Sequence, residues 1–126
     1  MAEANSNSYK ALLVWQKGLG LAKQVYQLTE TFPANERYGL VAQMRRAGVS
    51  VPSNIAEGQA RRSRREVVQF VSHAEDSAAE LVVRVGYCSG ARLKATLELI
   101  EEIRKMLFAL RRKLSTNNNS QLTTNN

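Results

Sequence analysis

Seven arginines lie between residues 37 and 65: Arg37, Arg45, Arg46, Arg61, Arg62, Arg64 and Arg65, against the single acid Glu57. A guanidinium is a rigid fork of N–H donors that matches phosphate and carboxylate oxygens. Arginines that neutralise phosphates release counterions, so the affinity sums over contacts and falls steeply with salt. Arg45, Arg46, Arg61, Arg62, Arg64 and Arg65 are therefore the candidate nucleic-acid-binding residues. No aromatic side chain interleaves Arg45 to Arg65, so contact with RNA or DNA is expected to be non-specific, without base stacking. The same cluster also fits a solvated face, pairing with Glu98, Glu101 and Glu102 of a neighbouring subunit, or recognition of an acidic protein.

Gln43, Arg46, Ser50, Asn54 and Glu57 follow helical spacing, and Ser77 and Glu80 on a later segment are candidate partners. Buried amides and carboxylates need partners. We read Gln43, Ser50, Asn54, Glu57, Ser77 and Glu80 as a structural polar network rather than a catalytic site. His73, the only histidine, forms an i, i+3, i+7 row with Asp76 and Glu80. That row lacks the paired Glu-x-x-His motifs of a helical di-iron site, so no metal is expected. Cys88 sits on an apolar stripe with no basic partner nearby and reads as a core residue. With no nucleophile elbow and no phosphate-binding glycine loop, the sequence predicts a non-catalytic protein without a cofactor or a small-molecule substrate.

Four segments with a 3.6-residue apolar period must position these groups. The first carries Leu12, Trp15, Leu19, Ala22, Tyr26 and Thr29, and ends before Pro33. Gly18 and Gly20 weaken its propensity and offer room for a neighbouring backbone. The second carries Leu40, Met44, Ala47, Val51 and Ile55, with Asn35 as its expected N-cap, a kink at Pro52 and Gly58 as its expected C-cap. Ser63-Arg64-Arg65-Glu66 reads as a capping box opening the third. That helix carries Val67, Phe70, Ala74, Ala78, Leu81, Val85 and Cys88, and Ser89-Gly90 breaks it. The fourth shows two rows: Leu93, Leu97, Ile100, Leu107 and Leu114 beside Leu99, Ile103, Met106 and Leu110. Either the second row packs on another subunit as an oligomer interface, or both form one wide core face. Short connections favour an up-and-down antiparallel four-helix bundle of the all-α class.

At 126 residues and 44% hydrophobic, the chain can bury one core without staples. Residues 1–8 and 115–126 are polar and read as disordered ends of a bundle spanning 9–114. A lone cysteine and no apolar leader suit a reducing cytoplasm. No run approaches the roughly 20 apolar residues that span a bilayer, so no membrane partner is expected.

Several blocks resemble one family. They are Val14-Trp15-Gln16-Lys17, Phe32-Pro33 with Tyr38-Gly39-Leu40, Gln43-Met44-Arg45-Arg46-Ala47, and Ser50-Val51-Pro52-Ser53-Asn54-Ile55-Ala56-Glu57-Gly58. Together with Ser77-Ala78-Ala79-Glu80-Leu81 they are similar to the 23S ribosomal RNA intervening-sequence proteins of bacteria. The resemblance, from about Tyr9 to Leu114, implies a four-helix protomer that forms a homopentamer with a central channel. A related branch assists the reverse transcriptase of diversity-generating retroelements and binds nucleic acid through a basic surface. Asp76 and Ala78 depart from the third-helix pattern, where glycine and leucine are expected.

Overall fold

A computed structural model describes residues 2–124 other than 87, 89 and 91, with side chains described for 8–116 outside those three. Among the described residues there are four long helices and no strand: α1 (Ala2–Thr29), α2 (Ala42–Gln59), α3 (Arg64–Val85) and α4 (Leu93–Thr124). A 3-10 turn (Ala34–Glu36) and a π-helical turn (Arg37–Val41) lead into α2. Each helix packs on the next, and α1 also packs on α4.

The core is aliphatic. Its fully buried members include Val14, Leu21, Met44, Val51, Ile55, Leu81, Ile100 and Leu107. On α2 and α3 the buried face is close to the expected stripe. Met44, Ala47, Val51 and Ile55 face inward, as do Ala74, Ala78, Leu81 and Val85.

On α1 the stripe is displaced by one residue. Ala11, Val14, Leu21, Val25 and Leu28 are buried, whereas Leu12, Leu19 and Tyr26 are 50%, 40% and 44% exposed. The reason lies in two close approaches to α2. A Cβ on Gly18 would lie 3.3 Å from Pro52 Cβ, and one on Gly48 would lie 3.4 Å from Val25 Cγ2. The small residues set the seam, so the bulkier parallel row turns outward. Gly20 meets nothing within 4 Å and has no packing role in the protomer.

The two rows of α4 merge into one wide inner face. Ile103 and Leu110 are 0% and 3% exposed, and Leu99 and Met106 pack part-buried against the core. Ile103 and Leu110, expected with Leu99 and Met106 at an oligomer interface, therefore belong to the protomer's own core: α4 contacts both α1 and α3, and a helix wedged between two neighbours hides a broad arc.

Two boundary details differ from expectation, at Asn35 and at Gly58, while α2 continues past Pro52 as expected. Asn35 lies inside the 3-10 turn and gives no side-chain cap. α2 stays helical through Pro52, whose ring fills the space beside Gly18. Gly58 is a buried residue within α2, and a Cβ there would stand 3.1 Å from Phe70 Cβ; the cap residue is Ala60. Between α3 and α4, Gly90 adopts φ +128°, a conformation that favours glycine; Ser89 lies outside the described residues. The backbone of α1 and α4 continues helical through the polar segments 2–8 and 115–124, as an established helix extends at little cost per residue. Met1, Asn125 and Asn126 lie outside the described residues.

These approaches make opposite predictions for two glycines. Gly20→Ala is expected to stabilise the protein by about 0.5–1 kcal/mol, because alanine is the better helix former where space is open. Gly58→Ala should destabilise it by about 1–2 kcal/mol, because overpacking against Phe70 outweighs that gain. Urea unfolding of both variants measures the difference.

Candidate nucleic-acid interface

Contacts between helices fix where the arginines lie. Along α1 and α2, Gly18 meets Pro52, Val25 meets Gly48 and Thr29 meets Arg45. Along α2 and α3, Ser50 meets Ser77 and Gly58 meets Phe70. Lys17 pairs with Glu102, Thr96 bonds to Gln24, and Arg111 bonds to Glu75.

The turn between α2 and α3 carries the densest charge. Ser63 caps α3, its Oγ accepting from the Glu66 backbone N–H at 3.1 Å and donating to Glu66 Oε1 at 3.2 Å. The capping box read from the sequence is therefore present, with a side-chain return contact. It pins the turn that displays Arg61, Arg62, Arg64 and Arg65. Arg61 is partly neutralised, bridging to Glu57 Oε2 at 2.9 Å and lying 4.7 Å above the Phe70 ring. Among the described residues no carboxylate lies within 4.0 Å of Arg62, Arg64 or Arg65. Arg64 Nη1 is moreover buried without a hydrogen-bond partner among them. A sequestered donor lacking an acceptor costs about 1–3 kcal/mol, which an oxyanion recovers only if the side chain turns outward.

Arg45 and Arg46 do not join this cluster. They sit near the start of α2, Arg45 about 21 Å along the helix axis from its end at Gln59 at 1.5 Å per residue. Arg46 is exposed. Arg45 donates from Nε to Thr29 Oγ1 at 2.9 Å and stacks 4.4 Å from the Tyr26 ring centroid. The seven arginines, contiguous in sequence, thus divide between the two ends of α2. Within the protomer Glu101 and Glu102 bind Arg104 and Lys17.

The polar network is smaller than expected. Ser50 Oγ and Ser77 Oγ share a hydrogen bond of 2.7 Å, and Asn54 Nδ2 donates to Ser50 O and Oγ at 2.8 and 2.9 Å. Glu57 and Glu80 pair along their own helices with Arg61 and Arg84, and no Gln43 side-chain hydrogen bond occurs among the described residues. Helical spacing placed the six on related turns, but the carboxylates reach solvent arginines before they reach the seam. The Asn54 amide bonds the Ser50 carbonyl rather than the Gly48 carbonyl that Pro52 leaves free.

His73 is exposed and meets the Phe70 ring edge-on at 5.8 Å. No group of three or more His, Cys, Asp or Glu suited to a metal occurs among the described residues. Cys88 is part-buried, its Sγ 3.9 Å from Met44 Sδ, and burial pushes its thiol above the ordinary value.

The basic ends were legible in the sequence, but three recognition features were not. Arg37 belongs with Arg45 at the α1–α2 elbow, lining the same cleft. The exposed row Leu12, Leu19 and Tyr26 repeats every seven residues along α1, a spacing visible in the sequence that was assigned to the core. The Trp15–Ile55 hollow between α1 and α2, which also touches Leu12 and Ala56, has a volume of about 380 Å³.

The model of a family described as 23S rRNA-intervening sequence protein matches residues 10–109. The fold is similar to the crystal structure of a protein of unknown function from the S23 ribosomal protein family of Bacteroides thetaiotaomicron VPI-5482. The two share 21% identity and a TM-score of 0.74, over 82% of this chain and 98% of that one. No curated relative matches the sequence. Among the described residues no helix is long and apolar enough to cross a membrane.

Two outcomes follow from the site chemistry. Ser63→Ala should cost about 1 kcal/mol in thermal or urea unfolding through loss of the α3 cap. Cys88 should react with iodoacetamide at pH 8 several-fold more slowly in the folded protein than in urea, because its thiolate is scarcer; equal rates would show that the thiol is not held back by burial.

Proposed function

Because the chain belongs to the 23S rRNA-intervening sequence protein family, we propose that it is a non-catalytic, cytoplasmic nucleic-acid-binding protein that works as a homo-oligomer. The protomer is read as an up-and-down antiparallel bundle. In support, residue numbers rise along one helix as they fall along its neighbour, from Gly18–Pro52 to Thr29–Arg45 and from Ser50–Ser77 to Gly58–Phe70.

The observation that carries the binding reading is the α2–α3 turn. Arg62, Arg64 and Arg65 project there without acidic partners, and Arg64 Nη1 is buried without an acceptor. Guanidiniums held unneutralised in one turn attract a polyanion, and phosphate oxygens match their donor forks. Arg46, exposed near the start of α2, is a separate point of positive charge. Nothing in the cluster reads bases, so RNA and DNA of different sequences are bound alike.

Assembly is assigned to α1 rather than to α4. Leu12, Leu19 and Tyr26 present an apolar line at heptad spacing, with Tyr9 exposed beside it. Such a line is the geometry by which helices of two chains pack. The pentamer implied by the family resemblance would repeat the arginine turn around the ring and raise avidity.

Filter binding to RNA and to duplex DNA should weaken log-linearly with salt. The combined Arg62→Ala, Arg64→Ala and Arg65→Ala variant should lower that slope by about 2–3 for every sequence tested. Salt-insensitive binding, or an unchanged slope, would contradict the reading, and nuclease-resistant capture of an acidic protein by the same arginines would replace it with an accessory-subunit role. Light scattering should give several times the 14.1 kDa protomer mass and fall toward that mass for Leu12→Glu with Leu19→Glu.

A further inference from the structure

The elbow between α1 and α2 forms a cleft of about 400 Å³ lined by Thr29, Glu30, Phe32, Arg37, Val41 and Arg45. Arg45 is fixed within it from two sides. Its Nε donates to Thr29 Oγ1 at 2.9 Å, and Thr29, itself buried, donates onward to the Val25 carbonyl at 2.8 Å. The face of the guanidinium lies 4.4 Å from the Tyr26 centroid, and Nη2 makes only a long 3.5 Å contact to the Tyr26 carbonyl. Nε and one face are thus occupied, while the two terminal nitrogens keep most of their donor capacity. Arg37 is exposed on the π-helical turn, and neither arginine has a carboxylate within 4.0 Å among the described residues. Glu30 lines the same cleft but pairs with neither.

From this arrangement we infer that the elbow cleft is a binding site for a single phosphate group, separate from the α2–α3 turn. A side chain anchored through a buried hydroxyl and an aromatic face has already lost its rotamer freedom, so binding does not have to order it. Two guanidinium forks on different elements require a ligand with more than one oxygen edge. A tetrahedral phosphate offers several, whereas a planar carboxylate offers one. Glu30 then serves as acceptor for the hydroxyl of a protonated phosphate or of an attached sugar. The site lies at the opposite end of α2 from Arg61, so it does not depend on the polyanion reading of that turn.

The probe is inorganic phosphate, titrated into the full chain while the arginine Nε–Hε resonances are followed by NMR, with chloride at matched ionic strength as the control. The Arg45 resonance, protected by its bond to Thr29, should shift saturably with phosphate and not with chloride. Arg37→Ala, at an exposed position that leaves the fold intact, should weaken that binding by about tenfold, the value of one charge-assisted hydrogen bond. Arg45→Lys should abolish the saturable shift elsewhere in the cleft, and the Arg62→Ala, Arg64→Ala, Arg65→Ala variant should leave it unchanged. No Arg45 shift, or the same affinity in Arg37→Ala, would overturn the assignment. Competition then separates the sources. A nucleoside monophosphate and a 5′-phosphorylated oligonucleotide should displace phosphate if the site takes a terminal phosphate, and a 5′-hydroxyl oligonucleotide should do so as well if it takes the strand backbone. Failure of all three to displace it would also overturn the assignment.

Discussion

Two small residues, Gly18 and Gly48, let α1 and α2 approach until Pro52 and Val25 fill the space a side chain would need. That seam fixes the rotation of α1 about its own axis. Its narrow row, Ala11, Val14, Leu21 and Val25, faces the core, and its bulky row, Leu12, Leu19 and Tyr26, faces out. The same rotation brings Tyr26 and Thr29 against Arg45. An apolar outer line and an anchored guanidinium therefore share one steric cause. Interiors are packed too densely for either helix to turn without opening a void or a clash.

The distribution of charge follows from α2 being a spacer between its two ends. An arginine excess that is one block in the sequence becomes two groups at opposite ends of an 18-residue helix. Acids are arranged so that other bases are neutralised first: Lys17 by Glu102, Arg84 by Glu80, Arg104 by Glu101 and Arg111 by Glu75. Arg46, Arg92 and Arg112 also stay unpaired among the described residues, but Arg62, Arg64 and Arg65 share one capped turn and Arg37 lies with Arg45 at the elbow, so an anion gains most there. Exposed pairs contribute little to stability, so their main effect is to decide which guanidiniums stay available.

Much of this was legible in the residues. The four helices, the Ser63–Glu66 capping box and the inner faces of α2 and α3 follow from periodicity and cap chemistry alone. The α1 face was not legible because it has two apolar rows one position apart. Hydrophobicity alone does not choose between a row with Leu12, Trp15 and Leu19 and one with Val14, Leu21 and Leu28, whereas the close approach at Gly18 does. Gly58 invited a cap assignment for a similar reason: a glycine near a helix end fits both a turn and a close approach, and only Phe70 across the seam decides between them. On α4, two rows suggested two partners, but contact with both α1 and α3 widens the arc one protomer can bury. In the candidate site, residue types were informative and grouping was not. Sequence proximity joined Arg45 to Arg61, and the rise of the helix separates them. Arg37 was passed over because the groups that hold Arg45 beside the same cleft, Thr29 and Tyr26, lie on another helix.

The central claim is that availability, set by pairing, decides which arginines meet a polyanion. Arginine-selective chemical footprinting with phenylglyoxal, read by mass spectrometry with and without bound RNA, tests it residue by residue. The account predicts that the exposed Arg62 and Arg65 are modified readily in the free protein and protected by RNA, while part-buried Arg64 reacts more slowly and the Glu101-paired Arg104 changes little. Protection centred on Arg104 and Arg84, or none at the α2–α3 turn, would contradict it.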